Sequence, residues 1–471
     1  MRNWKVMTYD ATAVILAAGQ GTRMKSRMAK VLHRAGGKTL VEHVIGAAKG
    51  VAAADRVFVV TGHQADAVDD VVRAAGARSV RQTEQLGTGH AVMCGRDQLA
   101  GFGGILLVLN GDCPLIRPAT LERLIRLFQE TGSGAAMITT DLDDPTGYGR
   151  IVRGPGGDVE AIVEHKAATL GQLALNEINV GFYCFDAAAF WKYVDQLKPD
   201  NPAREYYLTD MIAILLKAGR RVTALKCEDS SEMLGINNRV ELAAVDRMMR
   251  ERKARQLMLD GITIEKPETV SIDEDVVIGQ DTVIGAFTQI SGKTTIGANC
   301  RIGSSCVIEN STIADEAQVF PFSSISGSIL EASAQVGPYA RLRMNAHLAE
   351  GAHVGNFVEL KNTTLGAGSK SMHLAYLGDS GIGAKVNIGA GTITCNYDGK
   401  KKHRTDIGDG AFVGSNSTLV APVEIGSQSY VGAGSVITDA VPEKALALGR
   451  ARQVIKEGWK KKDPNQKVTA G

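Results

Sequence analysis

The 471-residue chain contains no run of about 18 apolar residues, the length a membrane-spanning helix needs. Residues 1–13 carry Arg2, Lys5 and Asp10 and no apolar stretch of secretory-leader length. No Cys-x-x-Cys occurs. The seven cysteines (94, 113, 184, 227, 300, 306 and 395) are odd in number and widely spread. That pattern argues against a disulfide framework and for reduced thiols in a cytoplasmic protein. Charge of one sign is lacking too: 53 Lys+Arg against 51 Asp+Glu leave a net charge of +2. No basic run exceeds Lys400-Lys401-Lys402 before the tail, so nucleic acid is not an expected partner. Aromatics are 5% of the chain and there are no Pro-rich tracts. Glycine, by contrast, is plentiful, 53 of 471 residues, against a usual roughly 7%. With 44% hydrophobic residues, the chain can fill ordinary cores in two or three domains.

Two grammars follow one another. In residues 1–238 the apolar runs Ala13-Val14-Ile15-Leu16, Val57-Phe58-Val59-Val60 and Ile105-Leu106-Leu107-Val108-Leu109 end in turn residues, as buried parallel strands do. Helical stretches such as 41–49 and 119–130 alternate with them, so an α/β, Rossmann-like domain with a mostly parallel sheet is expected. Arg239–Leu259 has no Gly or Pro and reads as one long helix, a linker over 239–262 ended by Gly261.

From 263 to 460 the beat is six. Ile278, Ile284, Ile290, Ile296, Ile302 and Ile308 are evenly spaced, and Gly279, Gly285, Gly297 and Gly303 follow four of them. The beat returns at Ile407, Val413, Leu419, Ile425, Val431 and Ile437, with Gly408, Gly414, Gly426 and Gly432 behind. A period of six means one short strand plus one turn, and three such repeats close one triangular coil. Aliphatics then stack inside and small residues take the corners. This is a parallel β-helix of hexapeptide repeats. The polar, basic stretch 392–404 breaks the beat and is expected to leave the wall as a functional loop. The tail 461–471 is expected to be unordered.

Chemistry-bearing residues concentrate in both halves. Leu16-Ala17-Ala18-Gly19-Gln20-Gly21-Thr22-Arg23-Met24 directly follows a strand, where open α/β sheets bind ligands. No Gly-Lys-Ser/Thr follows, so it is not a Walker loop, and Met24 stands where a dinucleotide fingerprint has its third glycine. Arg23 and Lys30 beside a glycine turn suit a triphosphate. Residues 82–91 form a second polar turn, and Asn110-Gly111-Asp112 puts a carboxylate at a strand end, where it can hold Mg²⁺. In the solenoid, 341–397 gathers Arg341, Arg343, His353, Asn356, Glu359, Lys361, His373, Tyr376, Asn387, Asn396 and Tyr397. His347 and His353 are six apart, but no third zinc ligand stands at matching spacing.

Leu-Ala-Ala-Gly-x-Gly-Thr-Arg-Met with Lys30 downstream resembles the signature of sugar-1-phosphate nucleotidylyltransferases. Segments 85–91, 143–151, 162–166, 177–179 and 235–239 in the first half, and 355–361, 373–379 and 387–399 in the second, make the resemblance narrower. Over roughly residues 12–459 the chain is similar to the bacterial bifunctional N-acetylglucosamine-1-phosphate uridylyltransferase/glucosamine-1-phosphate N-acetyltransferase family. The resemblance implies a left-handed β-helix in the second half. It implies that Leu16, Ala17, Ala18 and Gly19 line a turn for UTP, that Arg23 and Lys30 hold its phosphates, and that Gln82, Gly87 and Thr88 read uracil. Gly149, Glu164 and Asn179 would hold N-acetylglucosamine, and Asp112 and Asn237 would bind Mg²⁺. For acetyl transfer it implies His373 as general base. Arg343, Lys361, Tyr376 and Asn387 would then take the sugar phosphate, and Ala390, Asn396, Tyr397, Ser415, Ala433 and Arg450 acetyl-CoA. A homotrimer with acetyl sites between subunits is also implied. The chain departs from the family pattern at Ala29, Asn110, Met344, Asn362, Met372 and Ala451, none of which removes a proposed catalytic group. Two other readings stand beside this one. One is a nucleotidylyltransferase with an inert β-helix, against which His373 and the 392–404 loop argue. The other is an assembly scaffold, against which Arg23, Lys30 and Asp112 argue.

Overall fold

The computed structural model describes residues 9–165 and 168–459; the tail 461–471 lies outside them. The chain divides into two compact units between Arg252 and Lys253. That boundary falls inside the helix Arg239–Leu259.

Among the described residues the first unit is built on a nine-stranded sheet. Its main order is Val222–Lys226, Ala135–Asp141, Glu177–Asp186, Ile105–Asn110, Ala11–Ala17, Val57–Thr61, Arg78–Arg81. Glu177–Asp186 runs antiparallel to both neighbours, and the other pairs on this path are parallel. The central strands are buried on both faces because helices cover both. Ala13, Ile15, Val57, Val59, Leu107 and Leu109 pack with the helices Leu40–Lys49 and Pro118–Thr131. Their alternates Val14, Phe58, Val60, Leu106 and Val108 pack with Phe190, Met211 and Leu215 on the other side. Helix starts and stops follow local chemistry. Thr39 and Glu42 form a capping box, and Pro118 opens a helix that left-handed Gly132 closes. Ala11–Ala17 pairs with Val57–Thr61 on one side and Ile105–Asn110 on the other. The glycine turn after it therefore sits at a switch point of the sheet, where the crevice for a ligand opens.

The second unit is a left-handed parallel β-helix; the six-residue beat predicts its parallel coils and the family resemblance its hand. Among the described residues its three faces are sheets of eleven, ten and nine short strands, starting at Thr263–Ile264, Ser271–Ile272 and Val277–Ile278. The aliphatics of the beat stack inside as one continuous core. Small buried residues such as Thr282, Thr288 and Ser311 line the inside of the corners, and their hydroxyls join successive coils. Thr282 Oγ1 donates to Gly297 O at 2.8 Å and accepts from the Cys300 N–H at 3.0 Å, which satisfies a buried hydroxyl. All seven cysteines are free.

Coil length is not constant. Ile278 pairs with Ile296, eighteen residues on, but Ile296 pairs with Ile313, seventeen on. Ile382 pairs with Ile407, twenty-five on, because the insertion leaves the wall at the second-to-third corner.

The three edges also differ in what occupies their left-handed corner. Between the third and first faces these positions are polar or glycine, for example Asp281, Asn299, Glu316 and Gly351. Between the second and third they include Asn310, Asn345, Asn362 and Asp379. Between the first and second, apart from Lys266 and Ser305, they include Phe287, Phe322, Tyr339, Phe357 and Leu374, giving way to Gly391, Asn416 and Gly434. The five large side chains are exposed. Phe322, Tyr339 and Phe357 stack in sequence at 4.9 and 5.3 Å.

Candidate active sites

In the first unit the glycine turn, the polar turn and the end of the strand Ile105–Asn110 converge on a cavity of about 420 Å³. Leu16, Ala17, Ala18, Gly19, Arg23, Lys30, Gln82, Gly87, Thr88, Asp112 and Asn237 all line it. Gly21 has φ +59, and a Cβ there would stand 2.6 Å from Lys30 Cβ. The turn thus needs glycine to let Lys30 reach across it. Lys30 Nζ forms an ion pair with Asp112 Oδ2. Arg23 Nη2 donates to Asn237 Oδ1 at 2.8 Å. Asn237 is fixed in turn by Glu241, whose Oε2 accepts its N–H at 2.6 Å, and the neighbouring Ile236 N–H bonds Asp112 O at 3.0 Å.

The Asp112 carboxylate and the Asn237 amide oxygen therefore both line the cavity, each already covered by a cationic side chain. Such a hard-oxygen pair fits Mg²⁺, which takes one or two carboxylates and completes its shell with water and substrate phosphates. At the polar turn, Gln82 Nε2 donates to Gly87 O at 3.1 Å and meets His90 Nδ1 at 3.0 Å. Both amide hydrogens are engaged, which leaves Oε1 as an acceptor.

Gly149, Glu164 and Asn179 do not line this cavity. They form their own group: a Cβ on Gly149 would lie 3.6 Å from Glu164 Oε1 and 3.8 Å from Asn179 Cβ. Glu164 opens on a neighbouring cavity of about 780 Å³ with Tyr207 and Asp210. The segment 205–210 stands between the two, since Glu205 lines the first and Tyr207 and Asp210 the second. Burial, then the Asp210 carboxylate, holds Glu164 above the ordinary glutamate range, and burial raises Asp210 likewise. Tyr207 and Asp210 escape a reading by motif, because nothing near them in sequence marks them as partners of Glu164. Asn110 is tied to the strand beside it, donating from Nδ2 to Val180 O at 3.1 Å.

In the second unit His373 ends the strand Lys370–His373 on the first face, next to the aromatic edge, and is exposed. Its Nδ1 meets Asn356 Oδ1 at 2.6 Å. An amide oxygen only accepts, so Nδ1 is the donor in this bond, and Nε2, with no protein partner among the described residues, holds the lone pair when the ring is neutral. Above His373 the same edge rises coil by coil. The Gly391 N–H bonds Leu374 O at 3.0 Å, Asn416 N–H bonds Ala390 O at 2.7 Å, and Gly434 N–H bonds Ser415 O at 2.8 Å. Ala390, Ser415 and Ala433 thus form one small-residue strip, and Arg450 Cδ lies 3.8 Å from where a Cβ on Gly434 would stand. Asn387 is on the first face, in register with Lys370 and Phe412.

Around the corner, on the second face, Arg343 pairs in register with Lys361, and Glu359 with Tyr376. Arg343 Nε donates to Glu359 Oε1 at 2.7 Å. Lys361 Nζ donates to Asp379 Oδ2 at 3.1 Å, and Asn396 Nδ2 reaches the same oxygen. Lys402, on the inserted loop, meets the Lys361 amine, and that contact pushes its pKa below the ordinary lysine value. Two amines thus stand side by side within the electrostatic reach of Arg343. Lys402 and Asp379 are functional candidates that the motifs did not single out. Tyr397 makes its hydrogen bond within the loop, to Gly399 O at 2.7 Å.

Comparison with known proteins agrees with this division. Residues 13–260 match the MobA-like NTP transferase domain, 256–360 the EIF2B subunit epsilon LbH domain, and 404–439 the bacterial transferase hexapeptide of six repeats. Proteins called "Bifunctional protein GlmU" are similar over nearly the whole chain. The one from Solibacter usitatus is 58% identical over 97% of this chain and 98% of its own. That of Koribacter versatilis is 50% identical over 94% and 95%, and that of Shouchella clausii 46% over 96% and 99%.

Proposed function

The chain belongs to the bifunctional GlmU family, and from that membership we propose how its two sites divide the synthesis of UDP-N-acetylglucosamine. It is a transferase of two activities, acetyl transfer and uridylyl transfer. Acetyl transfer from acetyl-CoA to glucosamine-1-phosphate belongs at the edge beside His373. Nε2 takes a proton from the sugar amine while the nitrogen attacks the thioester carbonyl. The C–N bond forms, the C–S bond breaks, and CoA leaves as its thiol. Arg343, Lys361 and Lys402, with Tyr376 and Asn387, hold the sugar phosphate. The strip Ala390, Ser415, Ala433 and Arg450 takes acetyl-CoA, with Asn396 and Tyr397 contributed by the inserted loop. At about 4.8 Å per coil the strip from His373 spans roughly 19 Å, which suits a long, narrow cofactor arm.

Uridylyl transfer belongs at the cavity of the first unit. The phosphate of N-acetylglucosamine-1-phosphate attacks the α-phosphorus of UTP and pyrophosphate leaves. Arg23 and Lys30 align the phosphates, Gln82 Oε1 accepts the uracil N3–H, and Gly149, Glu164 and Asn179 hold the sugar. This is positioning and charge neutralisation with no covalent work for the protein. Asp112 and Asn237 would hold Mg²⁺, whose charge offsets that of the triphosphate.

The observation that carries the reading is the pairing of a one-sided base, His373 held through Nδ1, with a strip of small residues on the same edge. Incubation with glucosamine-1-phosphate, acetyl-CoA, UTP and Mg²⁺ tests it, with CoA thiol and pyrophosphate followed separately. Thiol release should need no UTP, and pyrophosphate release should need acetyl-CoA. Pyrophosphate without any thiol would leave a nucleotidylyltransferase with an inert β-helix.

A homotrimer in the cytoplasm completes the proposal. Hexapeptide repeats favour oligomers, and among the described residues no helix is long and apolar enough to cross a membrane. The exposed edge supports a partner copy. A left-handed conformation costs a residue other than glycine about 1–2 kcal/mol, yet one edge alone spends it on Phe287, Phe322, Tyr339, Phe357 and Leu374. Tyr339→Asp is expected to convert a trimeric mass in light scattering to a monomeric one. Acetyl transfer should fall with it, since a convex edge needs a second surface to enclose substrate. A trimeric mass for the variant would remove this edge from the interface.

A further inference from the structure

One side chain in the second unit joins the residues assigned to both substrates of acetyl transfer without being assigned to either. Asp379 lies at a left-handed corner between the second and third faces, φ +50. Its side chain is 12% exposed, and that of its partner Lys361 is 7% exposed. Three donors point at it: Lys361 Nζ at 3.1 Å and Asn396 Nδ2, both on Oδ2, and Asn362 Nδ2 on Oδ1 at 2.8 Å. Its backbone also closes the insertion. Asn396 stands where the loop leaves the wall, and where it returns the Thr405 N–H bonds Asp379 O at 3.3 Å. The loop between these two points carries Lys402, which meets Lys361.

We propose that Asp379 is a positioning residue for acetyl transfer, a buried carboxylate that sets the place of the Lys361 ammonium and fastens the root of the inserted loop through Asn396. The proposal rests on the assignment of acetyl transfer to this edge. The chemistry requires a carboxylate rather than an amide. All three partners are donors, and only an ionised carboxylate accepts from all of them with no hydrogen of its own in the way. It also places one negative charge under the cluster of Arg343, Lys361 and Lys402, so the three cations can stay charged and close before a phosphate arrives.

A plain turn-forming role predicts something different. The equivalent corners below Asp379 hold Asn310, Asn345 and Asn362, all at positive φ. Asparagine therefore supports this turn, and Asp379→Asn should be silent if the turn is all that matters. On the present proposal it removes the negative charge beside Lys361 and, with its oxygen kept on Lys361 and Asn396, turns an NH₂ group on the Asn362 amide. The KM for glucosamine-1-phosphate is then expected to rise about tenfold or more, with uridylyl transfer unchanged. Trypsin should also cut the loop at Lys400 to Lys402 faster than in the parent protein. Asn362→Gly keeps the left-handed corner and removes only the support on Oδ1. It should raise the same KM severalfold, and it serves if Asp379→Asn does not fold. An Asp379→Asn enzyme with parental KM and parental loop cleavage overturns the proposal while acetyl transfer stays assigned. A parent protein without acetyl transfer overturns the assignment instead, and the cleavage rates then still decide whether Asp379 anchors the loop.

Discussion

His373→Ala is expected to slow CoA thiol release by about 10²–10⁴-fold, the range for losing a positioned general base. Pyrophosphate release should stay within about twofold, because the residues that carry it belong to the other unit. The loss should fall on kcat. His373 is exposed and touches the coil below through one hydrogen bond to Asn356, so its removal leaves no core cavity, and folding stability should change by less than about 0.5 kcal/mol. His373→Asn separates the base from the hydrogen bond: an amide can still donate to Asn356, yet it cannot take the proton. It should be as slow as the alanine variant. A variant that keeps more than a tenth of the parental rate would show that the proton leaves by another route. A fall in both activities would mean lost structure.

The parts of this fold that could be read from sequence are those in which each residue's fate is set by its near neighbours. The beat Ile278 to Ile308 is legible because eighteen-residue coils repeat without a slip. It fades after Ile308 because coils of seventeen residues begin there, as the register of Ile296 with Ile313 shows. The helix Arg239–Leu259 is legible end to end, having no breaker inside and a glycine just beyond.

The sites were legible only as motifs. Nothing in spacing says that Ala390, Ser415 and Ala433 share an edge, since the insertion makes the first interval longer than the second. Asp210 meets Glu164 across 46 positions, and Lys402 meets Lys361 across 41. Such pairs depend on sheet order and coil closure, which no local pattern encodes. Two of the six departures from the family pattern, Asn362 and Asn110, have distant partners of the same kind. Asn362 stands where a second lysine is usual, and its amide bonds Asp379. Asn110 replaces a tyrosine and bonds Val180 O.

Asp112→Ala is expected to lower pyrophosphate release by about 10²–10³-fold or more, the scale of losing one preorganised electrostatic group, with acetyl transfer intact. Asp112 has two roles that the variant separates. Its carboxylate pairs with Lys30 and, on the proposed function, would supply an oxygen with Asn237 Oδ1 to Mg²⁺. Removing it frees Lys30 for the triphosphate, so UTP binding should hold or tighten while kcat collapses. A residue that merely shaped the pocket would weaken binding instead. Asp112→Asn keeps an oxygen and loses the charge. It should recover part of the rate at raised Mg²⁺, where Asp112→Ala should not. A titration of rate against Mg²⁺ for the three proteins therefore decides the matter. Equal Mg²⁺ dependence in all three, with release undiminished, would leave Asp112 as no more than the counter-charge of Lys30.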